Sequence, residues 1–172
     1  DEISNVVEPL LKLNSGPIYY INISKDEFKL GGSSFAQIHN RIGSHVPDTT
    51  CSKYVKNVFQ TVQKLIRGEK IIAGHDVSSG GLITTILELC FSNNNLGAKI
   101  NLTDLGEKDT IKVLFAENSG IVFQAIDDSV ENVFKNNGID VIRIGSVINK
   151  SKLILNNFHT QYNLDIEKYR DF

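Results

Sequence analysis

The stretch that decides the fold is residues 71–82, Ile-Ile-Ala-Gly-His-Asp-Val-Ser-Ser-Gly-Gly-Leu. It begins inside an apolar strand that the pattern predicts over 70–74, and a polar turn over 76–81 follows. From Gly81 to Phe91 the sequence is apolar almost all round, which predicts a helix over 81–91 that is covered on several sides. A buried strand that turns directly into a buried helix is typical of a sheet flanked by helices.

The same alternation of strands and helices extends in both directions from this stretch. Over 52–67 apolar residues recur at three- and four-residue spacing with lysines and glutamines opposite them, and Gly68 suits the end of that helix. Residues 6–13 fit a strand or a helix. The other predicted elements are strands at 18–23, 98–102, 121–126, 141–147 and 153–155, and helices at 35–42, 109–117, 129–137 and in the last ten residues.

The connection between the last two predicted strands is a short polar turn, residues 148–151. Such a turn is typical of a hairpin, so we expect these two strands to pair antiparallel. The sheet is then mixed rather than fully parallel. The expected fold class is α+β, with three α/β/α layers around a mixed sheet.

The composition excludes several classes of protein. Of 172 residues, 41% are hydrophobic and 22% are charged, which is enough apolar material for one folded domain over 1–172. The 18 Lys and Arg residues face 20 Asp and Glu residues without forming a block, so nucleic acid is not an expected partner. No apolar run is long enough to span a membrane. Without any Met, and opening on Asp1, the sequence is expected to be a piece of a longer polypeptide.

The turn after the predicted strand carries the most informative candidate site. Asp76 lies at the carboxyl end of the strand, where ligands of open α/β sheets bind, and Ser78 can donate a hydrogen bond to a phosphate. Gly80 and Gly81 allow close backbone approach, and the helix start suits a phosphate anion. A carboxylate beside bound phosphates suits Mg²⁺. The alternative is that Asp76 and Ser78 merely cap the helix.

Two further segments are weaker candidates. Gly31, Gly32 and Ser33 precede a predicted helix and fit an anion site, although a serine N-cap explains them equally. Glu117, in Phe115-Ala116-Glu117-Asn118-Ser119-Gly120, is a weak candidate for a metal ligand, and Gly120 suits a helix C-cap.

Three other residues are not expected to carry chemistry. His75 and Asp76 are predicted to face opposite sides of the strand, so His75 is interpreted as a packed or hydrogen-bonded histidine. Cys90 lies within an apolar helix, and Cys51 has no nearby histidine in sequence. We therefore predict no catalytic residue in this chain, and two reduced thiols, as in a cytoplasmic protein.

Taken together, Leu30-Gly31-Gly32-Ser33-Ser34-Phe35-Ala36-Gln37, the His75–Leu82 motif and Leu114–Gly120 resemble the phosphoribosylformylglycinamidine synthases. More narrowly, they resemble the C-terminal domain of the second synthetase half, which shares its fold with the aminoimidazole ribonucleotide synthetases. The order and separation of the three motifs match, and the resemblance covers about 15–157. Ser79 is a departure, because many members carry Asp there.

The resemblance implies a role in an ATP- and glutamine-dependent ligation of purine synthesis, with Mg²⁺ and ATP or ADP as cofactors. Asp76 would bind the metal, Ser78 would contact the nucleotide, and the nucleotide site would be either catalytic or structural. The partners would be small-molecule substrates and the remaining synthetase and glutaminase domains of the same chain, and the isolated chain would be inactive. Two alternatives remain: a domain of a selenophosphate synthetase or hydrogenase-maturation protein, or a purely structural packing module.

Overall fold

The computed structural model describes residues 6–92 and 94–170. Seven strands form one sheet: β1 (Ile18–Asn22), β2 (Ile71–Val77), β3 (Gly97–Asn101), β4 (Gly120–Ala125), β5 (Ile142–Ile148), β6 (Lys152–Asn157) and β7 (Thr160–Asp165). The helices are α1 (Ser34–Ile38), α2 (Ser52–Arg67), α3 (Gly81–Phe91), α4 (Thr110–Phe115), α5 (Ser129–Asn136) and α6 (Glu167–Arg170), with a 3-10 turn at Thr103–Leu105.

The sheet is mixed, with the strand order β2-β4-β1-β5-β3-β6-β7. Only the pair β3–β6 is parallel, and every other neighbouring pair is antiparallel. Strand β1 lies inside the sheet because its side chains from Ile18 to Ile21 are apolar or aromatic and buried on both faces. The predicted mixed sheet is therefore confirmed.

Helices cover both faces of the sheet and create two cores. On one face Val58 and Leu65 of α2 pack with Phe134 of α5 against Tyr19 and Phe123 of the sheet, which we call the α2-side core. On the other face Ile86 and Leu89 of α3 pack with Val113 of α4 against Val122 and Ile100, which we call the α3-side core. Alternate residues of β1 and β4 supply the two cores, and helices lie on both faces, so the predicted three-layer fold is confirmed.

The predicted hairpin between the last two long strands is wrong. Strands β5 and β6 do run in opposite directions, but β3 lies between them and pairs with both. The link over 149–151 passes closely across the first residue of β3, where a Cβ on Gly97 would lie 2.4 Å from the carbonyl oxygen of Lys150. A side chain at this position would collide with the link. Gly97 therefore allows β3 to lie between β5 and β6, where the sequence predicts a simple turn that joins paired strands.

Four predicted bounds also need correction. The helix predicted over 109–117 ends at Phe115, and Gly120, which suited its C-cap, is instead the first residue of β4. The last ten residues are not one helix, because β7 ends only at Asp165 and α6 is a single turn. The helix predicted over 35–42 ends at Ile38. The strand predicted over 70–74 continues to Val77, so Asp76 lies on the strand itself rather than in the turn. Residues 6–13, which fitted a strand or a helix, form neither.

In the described part of the chain, no helix is both long and apolar enough to cross a bilayer.

The packing of the α2-side core predicts that two phenylalanines, Phe134 and Phe59, contribute differently to the free energy of unfolding. Phe134 is fully buried, with its ring centroid 5.5 Å from that of Phe123, whereas Phe59 on α2 is 64% exposed. We expect Phe134→Ala to lower the free energy of unfolding by about 3–5 kcal/mol, because it leaves a cavity. The matched control Phe59→Ala should change it by less than about 0.5 kcal/mol. Urea unfolding measures both, and equal losses would contradict this packing.

Candidate functional site

Three segments that are far apart in sequence meet at the carboxyl end of β2. They are the glycine–serine loop (residues 30–34), the β2–α3 turn (residues 78–81) and the acidic loop (residues 116–119). Glu117 of the acidic loop contacts both of the others, since its Oε1 accepts hydrogen bonds from the N–H groups of Ser34 and Gly80, each at 2.8 Å. The rings of Phe35 and Phe115 pack beside this contact with centroids 4.8 Å apart. The sequence predicted each segment separately, and the structure brings them together.

The β2–α3 turn depends on two consecutive glycines in the left-handed region. Gly80 has φ of 88° and Gly81 has φ of 73°, which residues with a Cβ rarely adopt. The N–H of Gly81 donates to the carbonyl oxygen of Ser78 at 3.0 Å, and the N–H of Gly80 donates to Glu117. Both amides are thus occupied within the protein, so what these glycines supply is the shape of the turn. Their predicted nucleotide contacts stay predictions.

Gly81 also fixes the distance between the turn and the acidic loop. A Cβ at this position would lie 2.7 Å from the carbonyl oxygen of Leu114 and 2.9 Å from that of Ala116. The backbone of α3 therefore touches the end of α4 directly, which places Glu117 beside the turn.

Helix α3 begins at this turn without a side-chain cap. Its N-cap residue is Gly80, which has no side chain, and among the described residues neither the Asp76 carboxylate nor the Ser78 hydroxyl accepts a hydrogen bond from its first turn. Asp76 and Ser78 therefore do not serve as caps, which was the alternative explanation for them. In the described part of the chain the Ser78 hydroxyl has no hydrogen-bond partner, and Ser78 is exposed.

Asp76 faces a cleft. It pairs with Ile121 of β4, so its side chain lies on the α2 side of the sheet, where it is 75% exposed. The cleft has a volume of about 370 Å³ and is bounded by Val62 and Ile66 of α2 and by Val7. The described residues contain no group of three His, Cys, Asp or Glu side chains that could hold a metal ion. A Mg²⁺ ion at Asp76 would thus need ligands from phosphate, water or other protein.

His75 is hydrogen-bonded, as predicted, and points to the α3 side. It pairs with Val122 of the α3-side core, and its Nε2 lies 3.3 Å from Oε2 of Glu88 on α3. Its Nδ1 lies 2.7 Å from the carbonyl oxygen of Asp76 and 3.5 Å from Oδ1 of the same residue. The opposite facing of His75 and Asp76 is therefore confirmed, although the two side chains still touch at the edge strand.

The carboxylate of Glu117 is partly buried. Burial raises its pKa, but the hydrogen bonds from the N–H groups of Ser34 and Gly80 outweigh burial, so the pKa of Glu117 is lowered from its ordinary value. Glu117 is consequently ionised near neutral pH. One carboxylate oxygen of Glu117 accepts hydrogen bonds from two amides. The role of Glu117 as a metal ligand stays a prediction.

The glycine–serine loop is built around the cap of α1. Ser33 is buried; its Oγ accepts from the N–H of Ala36 at 3.2 Å and donates to the carbonyl oxygen of Leu30 at 2.7 Å. Gly31 approaches the chain at His45 so closely that a Cβ would lie 2.3 Å from its carbonyl oxygen. Gly32 has φ of 75°. The N-cap explanation for Ser33 is thus confirmed, and a nucleotide contact by this loop stays a prediction.

Sequence reasoning missed Asn118. Its side chain is almost fully buried, and its Nδ2 donates to Ser24 Oγ at 3.0 Å and to the carbonyl oxygens of Asp26 and Glu27. Asn118 therefore anchors the acidic loop to the segment that follows β1. An asparagine between a glutamate and a serine is typical of an exposed loop, so no local signal announced its burial.

The predictions for the two cysteines agree with the structure. Cys90 is fully buried, and burial raises the pKa of its thiol to about 12, which favours the protonated thiol over the nucleophilic thiolate. Cys51 is exposed, and neither cysteine forms a disulfide.

This architecture and its three loops define a class of protein, the C-terminal domains of the AIR synthase related proteins. Residues 24–156 match the family described as "AIR synthase related protein, C-terminal domain", and the chain belongs to this family.

Curated relatives of this chain are named phosphoribosylformylglycinamidine synthase. The Dictyostelium discoideum protein is 39% identical over 132 residues, which cover 72% of this chain, and the human protein is 32% identical over 136 residues, which cover 78%. A "Probable phosphoribosylformylglycinamidine synthase, chloroplastic/mitochondrial" of Arabidopsis thaliana is 36% identical over 78% of this chain. The chain spans about a tenth of the length of these relatives, 10% of each.

Solved structures share the fold. Thermotoga maritima PurL complexed with ATP aligns with a TM-score of 0.71 over 98% of this chain and 28% of its own, at 11% identity. A thiamine-monophosphate kinase from Stenotrophomonas maltophilia aligns with a TM-score of 0.56 over 89% of this chain and 54% of its own, at 13% identity. At these identities the likeness shows the fold alone.

Because the backbone of Gly81 lies so close to the end of α4, we expect a side chain at this position to destabilise the fold by more than the strain of the left-handed backbone alone. We expect Gly81→Ala to lower the free energy of unfolding by more than about 3 kcal/mol, since the new Cβ meets two carbonyl oxygens that belong to backbone. The matched control is Gly106→Ala, which has φ of 81° but nothing within 4 Å of a Cβ. It should cost only about 1–2 kcal/mol, the strain of the left-handed backbone. Urea unfolding compares the two, and equal losses would show that the contact with α4 is incidental.

Proposed function

We propose that this chain is a domain of a phosphoribosylformylglycinamidine synthase, a ligase of purine biosynthesis, and that it forms part of a Mg-nucleotide site. One observation carries the proposal: at the end of β2, Asp76 and Ser78 are exposed and cap nothing, and Glu117 joins the turn that contains Ser78 to the glycine–serine loop. The curated relatives at 32–39% identity support the choice of enzyme. The T. maritima PurL structures with ATP, ADP and AMPPCP share the fold and support a nucleotide as the ligand.

The reaction of the whole synthase consumes formylglycinamide ribonucleotide, ATP and glutamine. ATP phosphorylates the amide oxygen of the substrate, and ammonia released from glutamine then displaces phosphate to give the amidine. The described residues of this chain supply no nucleophile and no general base to these steps. Their contribution is to bind and orient the nucleotide.

In the proposed site Asp76 is the Mg²⁺ ligand. Magnesium in proteins is usually held by one or two carboxylates and completes its octahedron with phosphates and water, so a single exposed carboxylate fits this ion. Asp76 lies on strand β2 and has no lysine or arginine partner among the described residues. A second protein ligand would come from another domain of the synthase.

Ser78 is the proposed nucleotide contact. Its free hydroxyl follows Asp76 by two residues and can donate to a phosphate oxygen of the nucleotide that Mg²⁺ binds. Gly80 and Gly81 contribute by forming the turn that presents Ser78. Gly31, Gly32 and Ser33 contribute less directly, through the loop that Glu117 joins to this turn.

We assign the site to a nucleotide that is held structurally rather than to the reacting one. The donors present are one carboxylate, one hydroxyl and main chain, which suit retention of a ligand. The catalytic site is the alternative, and the two differ in what the loss of Asp76 does to turnover.

The remaining parts of the proposal concern the surroundings of the domain. Its partners are the other synthetase domains and the glutaminase domain of the same chain, together with small-molecule substrates. The cytoplasmic location predicted from the unpaired cysteines is part of the proposal, and the name of the Arabidopsis relative assigns that protein to organelles.

The metal role of Asp76 is tested in the complete synthase. We expect Asp76→Asn to lower the fraction of purified enzyme that carries nucleotide, because the amide has the same shape without the charge, and to leave kcat less affected than this retention. Ser78→Ala should weaken binding by about 1 kcal/mol, the worth of one hydrogen bond. The matched control is Asp104→Asn, in the 3-10 turn.

Nucleotide content is measured by chromatography of the denatured protein. Unchanged content and activity in Asp76→Asn would refute the metal role. A fall in kcat as large as the fall in nucleotide content would favour the catalytic alternative over the structural one.

A further inference from the structure

We propose that Glu117 is a positioning residue, which joins the glycine–serine loop to the β2–α3 turn so that the two loops move as one unit. This inference rests on the proposed nucleotide site. It adds that the contacts of Glu117 determine how the two loops are arranged at that site. Glu117 then acts through Ser34 and Gly80, and touches neither metal nor nucleotide.

A single carboxylate oxygen of Glu117 accepts hydrogen bonds from two loops that are far apart in sequence. Oε1 of Glu117 lies 2.8 Å from the nitrogen of Ser34, 83 residues away in sequence, and 2.8 Å from that of Gly80, 37 residues away. Hydrogen bonds from neutral N–H groups to a carboxylate are stronger than those to a neutral acceptor. A single oxygen that accepts from both amides fixes their separation, which two independent bonds would leave free.

Glu117 itself is held by its neighbours, so it can transmit position. Asn118 is buried and donates to the segment after β1, and the backbone before Glu117 lies against Gly81 without room for a Cβ. The ring of Phe115 packs on that of Phe35 in α1. The acidic loop is therefore held in position by its own contacts, and the two other loops bind to it through Glu117.

The charge on Glu117 opposes a direct role in binding phosphate. The amides of Ser34 and Gly80 would form an anion site if they were free, but a carboxylate occupies them and repels a second anion. A phosphate would thus bind at the outer side of the turn, where the side chains of Ser78 and Asp76 are exposed.

Two substitutions separate positioning from metal binding. Glu117→Gln retains an oxygen that accepts both hydrogen bonds but is a poor Mg²⁺ ligand, whereas Glu117→Ala removes the acceptor. The matched control is Glu107→Ala, because the Glu107 carboxylate accepts a hydrogen bond from the N–H of Asp109 within its own loop, and its link to Asn157 runs through the backbone carbonyl, which alanine retains.

The first measurement is amide hydrogen exchange of Ser34 and Gly80 in this chain, followed by NMR, and it needs no nucleotide. We expect exchange at both amides to rise together, on the order of tenfold or more, in Glu117→Ala, and to stay near wild type in Glu117→Gln and Glu107→Ala. Unchanged exchange in Glu117→Ala, or a rise at only one of the two amides, would overturn the proposal.

The second measurement is the dissociation constant of Mg·ADP for the complete synthase. We expect an increase of about tenfold in Glu117→Ala and rescue to near the wild-type value in Glu117→Gln. A glutamine variant as impaired as the alanine variant would overturn positioning in favour of a metal ligand. Faster exchange in Glu117→Ala with unchanged affinity would likewise overturn it, while loss of affinity in Asp76→Asn shows independently that the nucleotide site itself exists.

Discussion

The hydrogen bonds that Ser34 and Gly80 donate to one carboxylate oxygen of Glu117 hold the candidate site together. A hydrogen bond to a charged group contributes about 1.5–3 kcal/mol, and ordering loop backbone costs about 1–2 kcal/mol per residue. Two such bonds offset the ordering of only a few residues. The loops therefore depend equally on their attachment to packed elements, namely α3 through Gly81 and α4 through Phe115.

The sheet supplies the positions that this contact needs. Strands β2 and β4 are neighbours, so Asp76 near the end of β2 pairs with Ile121 near the start of β4, and the acidic loop that precedes β4 lies beside the β2–α3 turn. Strand β1 pairs with the other edge of β4, and it leads through the segment contacted by Asn118 to the glycine–serine loop. The antiparallel order β2-β4-β1 thus brings together three motifs that the sequence keeps apart.

Local structure was more predictable than pairing. The bounds of α2 and α3 agree with the prediction to the residue, because apolar spacing and the glycines at their ends are local signals. The insertion of β3 between β5 and β6 was not predictable, since it depends on contacts between distant residues, and β7 carries too few apolar residues to be recognised. For the same reason the sequence indicated Asp76, Ser78 and Glu117 as separate candidates, and only the structure shows that Glu117 contacts two loops.

In the proposed function this chain contributes only part of a Mg-nucleotide site, and other domains of the synthase contribute the rest. Among the described residues the proposed site offers one exposed carboxylate and one free hydroxyl, and a hydrogen bond contributes about 1 kcal/mol. A total below about 4 kcal/mol corresponds to an affinity weaker than millimolar. Isothermal titration calorimetry of this chain with ATP and Mg²⁺ tests the claim most directly. We expect no saturable heat at micromolar ATP, and binding only at millimolar concentrations or above. A micromolar dissociation constant would show that the site is complete within the 172 residues, and would refute the proposal that other domains complete it.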